Sequence, residues 1–202
     1  MIRLDKDNGL WTITLARPDK ANALTYDMLA EIADIAESAQ DARALVLTGE
    51  GKVFSAGADL NAAKEGLATS DVWDRASSAI AKLPCMTIAA LNGTLAGGAF
   101  GVALACDLRV SVPAANFFYP VMRLGYLPQH ADPARMVALM GPARAKLILM
   151  AGQKIDAETA LQFGLIDRIS TDPVAEAKGL VAHALDASEE HAHAIKRMCQ
   201  GG

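Results

Sequence analysis

The chain has 202 residues, 52% of them hydrophobic, a formal net charge of -4 and a sequence pI near 5.5. That length can bury one substantial core and suits a single domain, 1–202. The acidic balance offers no basic stripe for a phosphate backbone, so no nucleic acid is expected, and an acidic-tailed ligand would need local positive charge. Cys85, Cys106 and Cys199 are odd in number and lack the spacing of a zinc or redox motif, so they read as free thiols in a reducing compartment. The segment Met1–Asp7 carries charge where a secretory leader needs an apolar core, and no uncharged run approaches the length of a membrane span. The expectation is a cytoplasmic protein with no membrane partner.

In chain order, Leu10–Leu15 alternates as a strand and stops at Arg17-Pro18-Asp19. Thr25 caps a predicted helix whose Met28, Leu29, Ile32 and Ile35 recur at helical spacing until Gln40. Ala44–Thr48 reads as a buried strand. A helix is expected from Asp71 to Leu83, broken by Pro84, then a strand over Thr87–Leu91, helix-like composition from Gly97 to Cys106, and a strand over Asp107–Val112. Such alternation favours an α/β fold with crossover connections. After Asn116 the chain reads as loop through Pro120, Gly125 and Pro128. Helices are then expected over Pro133–Met140 and Pro142–Met150, followed by one capped by Asp156 and ended by Gly164, a strand over Leu165–Ile169, and a final helix over Val174–His183.

Two glycine-bearing segments carry the chemistry, Phe54-Ser55-Ala56-Gly57-Ala58-Asp59-Leu60 and Leu95-Ala96-Gly97-Gly98-Ala99-Phe100-Gly101. Each follows a stretch that reads as a buried strand, and small residues at such bends present bare backbone N–H groups to an oxyanion. Other glycine-dependent sites fail on spacing. Gly93, Gly97, Gly98 and Gly101 do not make a dinucleotide fingerprint, Gly51-Lys52 has Val46 where a phosphate loop needs its first glycine, and Ser55 has Val53 where a nucleophile elbow needs glycine. His191 and His193 near the tail are too sparse for a metal site, and none is expected.

In register over nearly the whole length, the chain resembles the crotonase superfamily, the enoyl-CoA hydratase and isomerase group. The resemblance is carried by Arg17-Pro18 with Asn22-Ala23-Leu24, Leu47-Thr48-Gly49, the two glycine segments, Ile88–Gly93 and Cys106-Asp107-Leu108. Phe117 with Pro120, Leu124-Gly125 with Pro128, and Ala157–Ala160 to Gly164-Leu165-Ile166 keep the same order. It implies a crotonase-like spiral of repeated β-β-α units that binds a coenzyme A thioester. The backbone N–H groups of Ala58 and Gly98 would hold the thioester oxygen and so stabilise an enolate. Coenzyme A would be part of the substrate, with no separate cofactor. Lys20, Ala21, Ala23, Ala56, Asp59 and Leu60 match the positions that touch its nucleotide and pantetheine, and Lys20 or Arg17 would supply the local positive charge. A homotrimer or dimer of trimers is implied as well.

The sequence departs from the pattern at the two positions where hydratases of this group carry glutamate: here they are Gly101 and Val121. Neither can transfer a proton, so ordinary hydration is not expected. The loop from Gly125 to Pro133 offers substitutes in Tyr126, Gln129, His130 and Asp132, with His130 as a base and Asp132 orienting it. Tyr119 and Arg123 are weaker candidates. The segment 171–202 is read as a shortened C-terminal helical region. These features leave open an isomerase, lyase or thioester hydrolase, a non-catalytic acyl-CoA binder or scaffold, and a hydratase that uses other groups.

Overall fold

The computed structural model describes residues 1–200; Gly201 and Gly202, the end of the segment 171–202, lie outside the described residues. The chain opens with strands β1 (Ile2–Asp7) and β2 (Leu10–Leu15), paired antiparallel in register Ile2 to Leu15. Asn8 and Gly9 join them with φ of 48° and 85°, the left-handed pair that a two-residue hairpin needs. Helix α1 (Tyr26–Ser38) follows, its Thr25 hydroxyl accepting from the Met28 N–H as the sequence anticipates.

Three β-β-α turns come next. Strands β3 (Ala44–Gly49) and β4 (Val53–Ser55) lead to α2 (Leu60–Lys64) and α3 (Val72–Ala81). Strands β5 (Met86–Leu91) and β6 (Thr94–Ala96) lead to α4 (Phe100–Leu104). Strands β7 (Leu108–Ser111) and β8 (Asn116–Phe118) lead to α5 (Val121–Leu124) and α6 (Asp132–Leu149), the last broken at Gly141, whose φ of 81° and ψ of 162° are not helical. The chain then runs through β9 (Ile155–Asp156), α7 (Ala157–Phe163), β10 (Arg168–Ile169), α8 (Pro173–Asp186) and α9 (Glu189–Cys199).

The longer strands form a six-stranded sheet in the order β1-β2-β3-β5-β7-β10, parallel except for the β1-β2 edge. The short second strands form a four-stranded sheet, β4-β6-β8-β9, parallel apart from β8-β9. A parallel sheet is stable when both faces are covered, and alternation along β3 and β5 achieves this. Leu45, Leu47, Ala89 and Leu91 enter the large core with α1 and α3, while Ala44, Val46, Ile88 and Ala90 pack with Ala177 and Val181 of α8 on the other face. Phe54, Phe100 and Phe117 are fully buried, each contributing roughly 1.5–3 kcal/mol by removal from water.

Three expectations need correction. The stretch after Asn116 is not simply loop, because β8 pairs in register with Leu95 and Ala96 and a short helix follows it. Only Arg168 and Ile169 of the expected strand Leu165–Ile169 pair with β7, since the Leu165 carbonyl instead accepts from Arg109 Nε at 2.9 Å. The helix over Val174–His183 is not the last. Helix α9 follows it, started by the Ser188 hydroxyl accepting from His191 N–H and tied to the sheet by Lys196 Nζ, which donates to Cys85 O and Asp107 Oδ2, each at 2.7 Å. Its polar composition hides it from an apolar-periodicity reading. Among the described residues, no helix is long and apolar enough to cross a membrane.

Candidate active site

The first glycine bend is built against the segment after β2. Asn22 is fully buried with a φ of 51°, and its side chain is satisfied on both ends: Nδ2 donates to Glu50 O at 2.9 Å and Val53 O at 2.8 Å, and Oδ1 accepts from Arg17 N–H at 2.9 Å. Ser55 Oγ donates to Asn22 O at 2.7 Å, and Ala56 N–H donates to Ala21 O at 3.0 Å. Leu24 continues the pairing as a parallel bridge to Ala58, donating to Gly57 O and accepting from Asp59 N–H, both at 2.8 Å. In such a bridge the opposed residue directs its own N–H to the far side. The Ala58 N–H is therefore not spent on Leu24 and points to the opposite side of the bridge.

The second bend begins where β6 ends at Ala96. Gly97, with φ of 55°, Gly98 and Ala99 form one tight turn that runs directly into α4. The first N–H groups of a helical start have no acceptor within it, so the Gly98 amide projects from the turn. The two bends touch: a Cβ at Gly57 would stand 2.9 Å from Ala96 O and 3.3 Å from Gly97 Cα. A Cβ at Gly98 would stand 3.1 Å from the Trp73 ring, which is held by its Nε1 donating to Leu67 O at 2.8 Å. Trp73 carries no sequence signature for this role; its helical spacing marks only a core residue.

Around the first bend, Lys20, Ala56 and Leu60 are exposed, and Ala21, Ala23 and Asp59 are half-buried. Arg17 is not available as a loose cation. Its Nη1 donates to Asp59 Oδ2 at 2.8 Å and to Ala23 O at 2.9 Å. Asp59 also caps α2 by accepting from Asn61 and Ala62 N–H, and the Arg17 hydrogen bond followed by these amides holds its carboxyl below the ordinary range.

The loop candidates separate in space. His130 and Tyr126 are exposed, while Asp132 at the start of α6 is fully buried. The Asp132 carboxyl is bound not by His130 but by Tyr119, whose hydroxyl donates to Oδ2 at 3.0 Å and accepts from Gln129 N–H at 3.1 Å. Gln129 Nε2 reaches Ala68 O at 3.4 Å. Tyr119 stacks on Phe100 with centroids 5.3 Å apart. Burial is the main cause that pushes Asp132 up to about 7, against the lowering influence of the Tyr119 bond and Arg135. Val121 is buried, Arg123 is exposed, and Gly101 faces Asp132.

Two glycine bends in contact on successive turns of a β-β-α spiral are the arrangement of a crotonase-type fold. A family model described as enoyl-CoA hydratase/isomerase matches residues 5–200. Among similar proteins, the probable enoyl-CoA hydratase echA6 of Mycobacterium tuberculosis is 35% identical over 173 residues, covering 85% of this chain and 71% of the relative. The probable enoyl-CoA hydratase echA14 of the same organism is 34% identical over 198 residues, covering 94% and 77%. Pseudomonas aeruginosa DspI superimposes with a TM-score of 0.91 at 32% identity, covering 99% of this chain and 86% of that one. The chain belongs to the enoyl-CoA hydratase/isomerase family, within the crotonase superfamily of enzymes.

Proposed function

We propose that the protein binds an acyl-CoA thioester and stabilises its enolate with the backbone N–H groups of Ala58 and Gly98. The observation that supports this reading is the contact between the two bends, with Gly57 against the Ala96 carbonyl; in the proposal this contact brings the two main-chain donors to one acyl oxygen. Donors fixed before reaction and aimed at developing negative charge are commonly the largest single contribution to such catalysis. Lys20, Ala21, Ala23, Ala56, Asp59 and Leu60 would form the coenzyme A face, with Lys20 as its exposed cation. Because Gly101 and Val121 carry no acid, proton movement falls to another group, and water addition by a pair of glutamates is not the reaction proposed.

The test is a panel of acyl-CoA thioesters incubated with the purified protein and analysed by mass spectrometry. Turnover of at least one thioester is expected, lost in Gly98→Pro while the circular dichroism spectrum is kept. Unchanged turnover in that variant would overturn the reading. The missing acids at 101 and 121 favour one competing reading, a non-catalytic acyl-CoA binder, for which the same panel would give binding without turnover of any member. A homotrimer or dimer of trimers is the proposed assembly, supported by exposed apolar residues such as Met122, Leu124, Leu127 and Leu161 and tested by native mass. A cytoplasmic location is proposed on the free thiols, of which Cys85 and Cys106 are buried.

A further inference from the structure

We propose that Asp132 is the acid–base residue of this site, its Oδ1 removing and returning a proton at the carbon beside the thioester carbonyl while Tyr119 positions the carboxyl. The proposal rests on the function proposed above and names the group that function leaves unassigned.

Asp132 is 0% exposed, and Oδ1 is buried without a hydrogen-bond partner, whereas Oδ2 is held by the Tyr119 hydroxyl. A buried carboxyl oxygen left unpaired is costly, and such groups in a native fold call for an explanation. Its position supplies one. A Cβ on Gly101 would stand 3.1 Å from Oδ1, so the carboxyl fills the space beside α4 that a side chain at 101 would enter. Gly101 lies three residues beyond Gly98, about 4.5–6 Å along a helical turn. In the proposed complex, an acyl group whose carbonyl oxygen sits on the Gly98 amide has its neighbouring carbon on the Gly101 side, facing Oδ1.

In the proposed step the C–H bond at that carbon breaks as an O–H bond forms on Oδ1. The electron pair moves into the carbonyl and gives an enolate oxygen held by the two amides. Return of the proton to the same carbon exchanges it with solvent, and delivery two carbons further along an unsaturated chain shifts a double bond. Neither outcome needs an oxidant or a second acid, which suits a site with one carboxyl. Arg135, whose Nη1 lies 3.4 Å from Gly101 O, and Asp74 of α3 are the charged groups that act on Asp132, in opposite senses, together with Tyr119.

The experiment is deuterium incorporation into butyryl-CoA and a β,γ-enoyl-CoA in heavy water, read by mass spectrometry, with thioester affinity measured in parallel by calorimetry. Wild-type protein is expected to exchange the proton, and Asp132→Asn to slow exchange by about 100-fold or more with affinity changed less than about threefold. Tyr119→Phe is expected to move the midpoint of the exchange pH profile upward, because it removes a bond that favours the ionised carboxyl. Equal exchange in wild type and Asp132→Asn overturns the proposal, as does thioester binding by wild type without exchange, which leaves the binding reading intact. Absence of thioester binding by wild type overturns both. Should Asp132→Asn fail to fold, the wild-type profile decides: a midpoint near neutrality supports the proposal and a flat profile overturns it.

Discussion

Gly57 lies closer to the carbonyl of Ala96 than any residue with a side chain allows: a Cβ there would stand 2.9 Å from the oxygen, on a backbone whose φ is +93°. The approach of the two bends depends on that missing carbon. Gly57→Ala is therefore strained twice, by the left-handed backbone and by the carbonyl. It should lose about 1–3 kcal/mol of stability, read by urea unfolding, and should weaken thioester binding in calorimetry because the bends must part.

Gly98 meets Trp73 in a softer contact, since the ring edge and not a backbone atom stands 3.1 Å from the added methyl. Gly98→Ala should lower turnover about tenfold or more by displacing the amide donor. Trp73→Phe, which shortens the ring system, should restore part of that loss in the double variant. If the double variant is no better than Gly98→Ala, the Trp73 contact is not what positions the amide.

Asp132 should leave a signature on stability as well as on chemistry. Burial raises its carboxyl from 3.8 to about 7, so between those values the folded chain holds a proton that the unfolded chain releases. The contribution is complete below the unfolded value and is lost as pH rises through the folded one, on the order of 4 kcal/mol in all. Asp132→Asn removes the titration. From pH 4.5 to 7.5, wild type should therefore lose stability relative to Asp132→Asn in urea unfolding; parallel curves would show that the carboxyl does not stay protonated in the fold.

Arg109 ties β7 to the segment before β10. Its side chain is almost wholly buried and donates to Leu165 O at 2.9 Å, Cys106 O at 2.8 Å, Asp107 O at 3.3 Å and Asp167 Oδ2 at 3.0 Å. Arg109→Met leaves the Leu165, Cys106 and Asp107 carbonyls without this donor, while Asp167 Oδ2 keeps only the N–H of residue 109 at 2.7 Å, and should cost about 3 kcal/mol or more, seen as a lower Tm. A change below about 1 kcal/mol would mean that water replaces the guanidinium there.

Much of this arrangement is legible in the sequence because local chemistry writes it there. Thr25 and Asp156 each cap the helix expected of them, and Gly164 takes the left-handed conformation that ends α7. Strands β4, β6 and β8 are three residues each, too short to establish an alternation, and they pair only with chain distant in sequence. The site shows the same limit. His130 and Asp132 are two residues apart in a polar loop, and nothing local reveals that one stays at the surface while the other starts a helix and turns inward to Tyr119. The orphaned oxygen beside Gly101 depends on packing between α4 and α6, which no spacing encodes.

The chain passes three times from the six-stranded sheet into the four-stranded one, from β3 to β4, β5 to β6 and β7 to β8. In the proposed function, the grip on the acyl oxygen is assembled from peptide groups, whose N–H every residue but proline carries, while Gly57 and Gly98 fix where those groups stand. The group that moves protons is a side chain and can be relocated from one turn of the spiral to another without rebuilding that grip. With Gly101 and Val121 carrying no acid and the Asp132 carboxyl standing beside Gly101, the proposed division gives one duty to a side chain of α6 and leaves the other with the main chain.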